Sequence, residues 1–282
     1  MAGGRPETTG PAWMFYNSDE AKKYARSSRM KDIQYELAAR AMELLDLPTP
    51  DENTPPSLIL DVGCGTGMSG EVISEFGHNW IGMDISQDML KLCDNENLVG
   101  KTRVDAGEGV PFRAGVFDAV ISISAIQWLC YSNANHEEPV RRLKAFFSTL
   151  YTSLNRGGKA VLQFYPDNDK QLELIEYAAL SAGFTGGTLT DFPESAKAKK
   201  HYLVLFTGAH AAKIVMPEAL TDDSTVKVGK RTHHKNHEKI DTRAAKGSKE
   251  WILKKKQKHR ELGKNVSKDS KYTGRRRKDI AI

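Results

Sequence analysis

The run Ser57-Leu-Ile-Leu-Asp61-Val-Gly63-Cys-Gly65-Thr-Gly67 sets an apolar strand ending in a carboxylate against three glycines at alternate positions. Such a turn lets backbone pass close to a ligand where any Cβ would collide. The helix expected from about Ser69 offers unpaired N–H groups beside it. Together these make a cradle for a nucleotide-bearing cofactor. Gly65-Thr-Gly67-Met-Ser-Gly70 is formally G-x-G-x-x-G, and Asp84 stands 19 positions after Gly65, about where a dinucleotide fold puts its ribose acid. That pattern alone reads as NAD. The fingerprint should begin where the strand ends, however, and this strand ends at Asp61, four residues before Gly65.

The register that fits the strand, Asp61-x-Gly63-x-Gly65-x-Gly67, resembles motif I of the class I methyltransferases that use S-adenosylmethionine (SAM). The resemblance implies that the methionine part of SAM lies against the bare turn, with Asp61 orienting the backbone or the amino group. Asp84 ends the second strand in Met83-Asp84-Ile85-Ser86, where an open α/β fold places a ligand acid. Its carboxylate can accept both ribose hydroxyls, with Ile85 beside it, while Ser86 serves as cap of the next helix. Asp105 and Ala106 at the third strand end are placed beside the adenine. Ser122, on the fourth strand, runs toward Gln127 and Trp128, the junction that faces the sulfonium in this class and where the acceptor must bind. Neither an Asn-Pro-Pro-aromatic motif for exocyclic amines nor a Pro-Cys nucleophile for cytosine C5 stands there, and Cys130 reads as an ordinary buried thiol. N7 of guanine already carries a lone pair and needs no activation, so no acid or base is assigned. Placement then carries catalysis, and alignment can supply roughly 7–11 kcal/mol in the best-oriented cases. Trp128 is a candidate stacking platform, Phe164, Tyr165 and Pro166 a second wall. Tyr16, Tyr24 and Arg29 are candidates for a lid whose aromatics screen the sulfonium by cation–π contact.

The elements that must position these residues follow from periodicity. Residues 1–12 lack any and are expected to be disordered. Asn17 and Glu20 have the form of a capping box opening a helical stretch, in one or two pieces, through Leu47. Strands are expected at Leu58–Val62, Asn79–Asp84, Thr102–Asp105, Phe117–Ile123, Lys159–Tyr165, about Thr188–Phe192, and His201–Phe206. Helices alternate with them, among them Val140–Leu154, stopped by Gly157-Gly158, and Asp169–Ala182. This is an α/β fold, a mostly parallel seven-stranded sheet wrapped on both faces, under an N-terminal helical lid. The methyltransferase domain is assigned to residues 13–208 and a basic, disordered segment to 209–282, with at most an isolated helix near Gly247–Leu262.

The chain has 282 residues and 39% hydrophobic content, enough for one sizeable core rather than two. The net charge of +5 hides a split. Residues 227–282 hold 20 Lys and Arg against 6 Asp and Glu, the remainder 21 against 30. A basic arm on an acidic body points to a polyanionic partner, with Lys254–Lys256 and Arg275–Lys278 suited to phosphate or to a nuclear import receptor. Three cysteines without C-x-x-C spacing argue against a disulfide framework and a structural zinc site. His233, His234 and His237 have loose metal spacing among lysines, and no metal is assigned. No apolar run of membrane length and no signal-peptide centre is present, so a soluble, intracellular protein is expected.

Phe15-Tyr16-Asn17, Lys23-Tyr24, Ile59–Gly67, Ser122–Leu129, Gln163-Phe-Tyr-Pro166, Ala182–Gly187 and above all Lys268-Asp-Ser-Lys-Tyr-Thr-Gly-Arg-Arg276 resemble the eukaryotic 18S rRNA (guanine-N7)-methyltransferases of small-subunit assembly. That resemblance implies a guanine of small-subunit rRNA, in a pre-40S particle, as target. It also implies action in the nucleus and nucleolus, and a small zinc-binding activator as heterodimer partner. The third strand, around Thr102–Ala106, is the expected sheet edge for such a partner. An assembly factor whose essential task is binding precursor rRNA is the alternative reading.

Overall fold

The computed structural model describes residues 5–95, 97–132, 138–195, 198–208 and 216–221, with 253, 256, 257, 260, 268 and 269. Three helices come first: α1 (Ala12–Phe15), α2 (Ser18–Arg26) and α3 (Ser28–Leu45). Asn17 caps α2 by accepting from the N–H groups of Asp19 and Glu20, and Ser27 breaks the stretch by capping α3 through the N–H of Met30. The alternating body follows as β1 (Leu58–Val62), α4 (Met68–Glu75), β2 (Asn79–Asp84), α5 (Gln87–Leu92), β3 (Leu98–Arg103) and β4 (Phe117–Ile123). It continues as α6 (Pro139–Ser153), β5 (Leu154–Phe164), α7 (Asp169–Ser181), β6 (Thr185–Asp191) and β7 (Lys200–Phe206).

The seven strands lie in the order β3-β2-β1-β4-β5-β7-β6. β1 pairs in parallel with β2 and β4, β2 with β3, and β4 with β5, whereas β7 runs antiparallel to both β5 and β6. Alternation along the central strands sorts the core into two faces. Leu60, Val62, Val120 and Leu162 meet Leu143, Phe147 and Ile175 of α6 and α7 on one side. Ile59, Ile121 and Val161 meet Leu37, Ala41, Val72 and Ile73 of α3 and α4 on the other. The strand order reverses between β1 and β4, which fixes the crevice at their carboxyl ends as the place for a ligand.

Four expectations are corrected. Residues 1–12 are not uniformly without structure: Pro6–Thr8 form a 3-10 turn, and Glu7 on it is buried. Arg5 holds that turn down, its guanidinium donating to the carbonyls of Tyr165 (2.9 Å) and Pro166 (3.0 Å) and pairing with Asp167. The third strand runs earlier than Thr102–Asp105, from Leu98 to Arg103. Gly157-Gly158 do not end α6, which stops at Ser153; they lie inside β5, at an irregular register against β4. The boundary at 208 also falls too early. Buried Asp191 pairs with Arg40 and accepts from the N–H of Leu220, while Arg40 donates to the carbonyl of Glu218, so residues 216–221 belong to the body. Chain contacts divide into Met1–Val226 and Lys227–Ile282. Within the second part Asp269 pairs with Lys256 and Arg260; most of the expected helix near 247–262 and the histidines at 233, 234 and 237 lie outside the described residues.

Candidate functional site

A cavity of about 550 Å³ opens where β1, β2 and β4 end, within the size range of small-molecule sites. Its floor is the turn after β1. Gly63 sits at φ +75°, and a Cβ there would lie 2.3 Å from the Cβ of Ala125. The left-handed backbone and the touching loop both demand glycine. Replacing Gly63 by alanine is therefore expected to cost about 2–4 kcal/mol from strain and overlap. A thermal melt should show a Tm lower by roughly 5–15 °C for a body of this size.

Two carboxylates flank the turn. Asp61 is fully buried beneath it; one oxygen accepts from the Ser69 hydroxyl at 2.5 Å, and the other, Oδ1, has no partner. Burial pushes its carboxyl up to about 7, against the opposing Ser69 hydrogen bond. A buried acceptor left open in this way suits a cationic amine. Asp84 accepts from the N–H of Gly65 (2.9 Å) and of Ser86 (2.7 Å), and burial raises its pKa. A carboxylate has about four lone-pair positions, so acceptor capacity remains for hydroxyls. Ser86 caps α5 through the N–H of Met89, as its position implied.

Gly63, Gly65, Asp84, Ile85, Asp105, Ala106, Gln127, Trp128, Tyr24 and Tyr165 all line the cavity. Asp61 and Gly67 stand behind the lining; Gly67 opens α4 with φ +84°. Four further candidates lie away from the cavity. Ser122 is wholly buried, tying β4 to β1 by donating to the carbonyl of Val62, and its neighbours Ile123 and Ser124 face the cavity instead. Phe164 points into the core, and strand alternation gives Tyr165 the cavity side. Pro166 lies beyond the lining and contributes its carbonyl to Arg5. Arg29 is exposed and outside the lining. Asp105 is present, but its carboxylate already takes the Arg142 guanidinium at 2.7 and 3.0 Å, together with the N–H of Gly107.

The roof comes from the N-terminal helices. Tyr16, Tyr24 and Trp128 line one wall, with Phe15 and Tyr16 packed on Trp128 at 5.9 and 5.8 Å between ring centres. Trp128 is thus both packed and cavity-facing. Burial keeps both tyrosines protonated far above neutral pH, so neither brings a charge to the cavity. Sequence reasoning missed Arg5, Glu7, Ser124 and Arg142. Nothing local marks the first two, and Ser124 reveals itself only by its left-handed φ of +56°. Cys130 is partly buried, and burial pushes its thiol up to about 12, which leaves it unreactive. Among the described residues no cluster of His, Cys, Asp and Glu could hold a metal, and no helix is long and apolar enough to cross a membrane.

Residues 60–162 match the family model "Methyltransferase domain", and residues 205–279 match "Methyltransferase involved in Williams-Beuren syndrome". The chain is 49% identical over 279 residues to the mouse protein named 18S rRNA (guanine-N(7))-methyltransferase, covering 97% of each. It is 45% identical to the Saccharomyces cerevisiae 18S rRNA (guanine(1575)-N(7))-methyltransferase, covering 97% of this chain and 98% of that one. Among solved structures, the Synechocystis magnesium protoporphyrin IX methyltransferase with bound SAM shares the fold: TM-score 0.51 and 19% identity, over 73% of this chain and 99% of that one. With a methyltransferase sheet, a nucleotide-sized cavity at its switch point and relatives matched from end to end, the chain belongs to the 18S rRNA (guanine-N7)-methyltransferase family.

Proposed function

We propose that this chain transfers a methyl group from SAM to N7 of a guanine in 18S rRNA during 40S subunit biogenesis. The observation that carries this is near-full-length identity to relatives so named, which extends through the basic C-terminal segment as well as the catalytic body. It favours methylation over a purely assembly-directed role. SAM, when bound, supplies the methyl carbon: its bond to sulfur breaks as the N7–carbon bond forms, sulfur keeps the electron pair, and the positive charge passes to the guanine ring.

The residues fit that cofactor. Asp61 Oδ1, an unfilled acceptor buried beneath the turn of Gly63, Gly65 and Gly67, is the group assigned to the amino end of the cofactor. Asp84 receives the ribose hydroxyls beside Ile85, and Asp105 with Ala106 borders the adenine, Asp105 being held in place by Arg142. Tyr24 and Tyr16 shield the sulfonium side. Trp128 and Tyr165 offer stacking faces for the base, with Gln127 beside them.

Asp61 gives a pH signature. Its carboxylate must be ionised to pair with an ammonium group, and burial holds the carboxyl near 7 in the free protein. SAM affinity should fall about tenfold from pH 8 to pH 6, with a proton released on binding at the lower pH. Calorimetry in two buffers checks this, and Asp61→Asn should flatten the profile. In the free protein the same raised pKa makes folding less favourable as pH climbs from about 4 through 7, because the folded state holds the proton more tightly than the unfolded chain.

The partner reading rests on β3, an edge strand with Val99 63% exposed. Trp13, 47% exposed, shares a shallow cleft with Ile85, Arg103, Val104 and Asp105 at its end. A small zinc-binding activator adding a strand there would cover both. The basic clusters at Lys254–Lys256 and Arg275–Lys278 support RNA contact and nuclear, including nucleolar, action. The deciding experiment incubates the purified chain and its copurifying partner with labelled SAM and small-subunit RNA, then maps N7 methylation by strand scission at 7-methylguanine. Label confined to another base or atom would overturn the reading.

A further inference from the structure

One wall of the cavity carries more hydrogen-bond acceptors than the cofactor needs. Glu7 is 6% exposed, and among the described residues its carboxylate takes one hydrogen bond, from Gln127 Nε2 at 3.0 Å. The same Nε2 donates to the carbonyl of Ser124 at 2.8 Å. Both partners can only accept, so the amide orientation is dictated: its N–H groups are consumed and Oε1 is turned away from them. That oxygen, on a side chain 3% exposed, is buried without a partner. Glu7 and Gln127 both line the cavity, next to Trp128. A cavity-lining carboxylate held by a single amide N–H keeps acceptor positions open and calls for a ligand edge made of donors.

We propose that Glu7, oriented by Gln127, determines the choice of base: its carboxylate accepts both the N1–H and the 2-amino protons of the target guanine. The inference rests on the methyl transfer proposed above and specifies how that site selects its acceptor. Guanine is the nucleobase whose Watson–Crick edge places two donors side by side. Adenine would turn its N1 lone pair against the carboxylate, and cytosine its N3 lone pair. Binding guanine by that edge leaves N7, on the opposite edge, free for methylation, and Trp128 is within reach to stack on the ring. As N7 gains the methyl carbon, the ring becomes cationic and its N1–H more acidic. The hydrogen bond to a carboxylate therefore strengthens toward the transition state, which places part of its effect in kcat. The N-terminal segment supplies this group from far along the chain, and Arg5 is its positioning residue, clamped to the backbone after β5.

Glu7→Gln keeps the shape and one acceptor for Gln127 but presents an amide to the guanine donors. With the full-length enzyme, methylation of small-subunit RNA carrying guanine or inosine at the target is compared; inosine lacks the 2-amino group. Wild type should prefer guanine by about tenfold or more. Glu7→Gln should lower kcat/KM on guanine by about 10–100-fold and bring the guanine-to-inosine ratio close to 1, with SAM affinity by calorimetry within about twofold of wild type. A variant that retains the wild-type ratio, or loses SAM affinity in step with activity, would show that Glu7 only supports the fold and overturn the proposal. Failure of wild type itself to methylate guanine N7 would instead overturn the parent reading, and this one with it.

Discussion

Asp84→Ala is expected to raise the dissociation constant for SAM by about 10²- to 10⁴-fold and to abolish methylation at ordinary cofactor concentrations. Each hydrogen bond to a charged acceptor is worth about 1.5–3 kcal/mol, and two ribose hydroxyls are at stake. The loss does not stop at the ligand. Asp84 also closes the turn by accepting from Gly65 and Ser86, and its removal leaves those N–H groups without their acceptor. Asp84→Asn should lose both effects in step, since an amide retains one oxygen and offers protons where the backbone also offers them. It should bind SAM weakly while melting close to Asp84→Ala. Calorimetric titration of both variants checks this; binding within threefold of wild type in the alanine variant would detach Asp84 from the cofactor.

The parts of the site legible in sequence are those encoded within a few residues. The strand, glycine turn and Asp84 form a contiguous pattern in which each residue type answers a local backbone demand, such as the φ of +75° at Gly63. Ser86 and Asn17 were legible as caps for the same reason. Ser122 and Phe164 failed on parity. Successive strand residues face opposite sides, so assigning a strand correctly while misjudging its facing by one residue sends the wrong side chain to the cavity. Tyr165, one residue on from Phe164, shows how small that error is.

Long-range determinants were invisible. Glu7 and Arg5 are fixed by partners 120 to 161 positions away, and no periodicity in residues 1–12 announces them. Gly157-Gly158 reads as a helix stop because that is its commonest use, yet the chain turns straight from α6 into β5, and the glycines serve an irregular strand register. The early start of β3 was hidden because Leu98-Val-Gly-Lys101 lies at an edge, where half-exposed positions weaken the apolar alternation. The segment at 216–221 carries no element of its own; its place is set by buried Asp191, whose charge is answered by Arg40 and whose oxygen takes the N–H of Leu220.

That last contact decides where the chain should be cut to test the basic segment. Truncation after Gly208 would strip Leu220 from Asp191 and confound RNA binding with stability, whereas truncation after Val226 keeps the body whole. Residues 227–282 carry 20 Lys and Arg against 6 acids, on a body with 21 basic and 30 acidic residues. If six to ten of those cations neutralise phosphates, counterion release makes affinity for small-subunit RNA drop by about 10³- to 10⁵-fold between 50 and 200 mM salt. The truncated chain should bind at least about 100-fold more weakly at 50 mM and respond far less to salt, because its net negative body repels the phosphate backbone. SAM affinity should be unchanged, since the residues proposed to hold the cofactor all precede Val226. In the full-length chain, exchanging Arg275, Arg276, Arg277 and Lys278 for glutamine should reduce the slope of log affinity against log salt by up to about 3. Equal affinity and equal slope in the truncated and full-length proteins would assign RNA capture to the folded body or its partner instead.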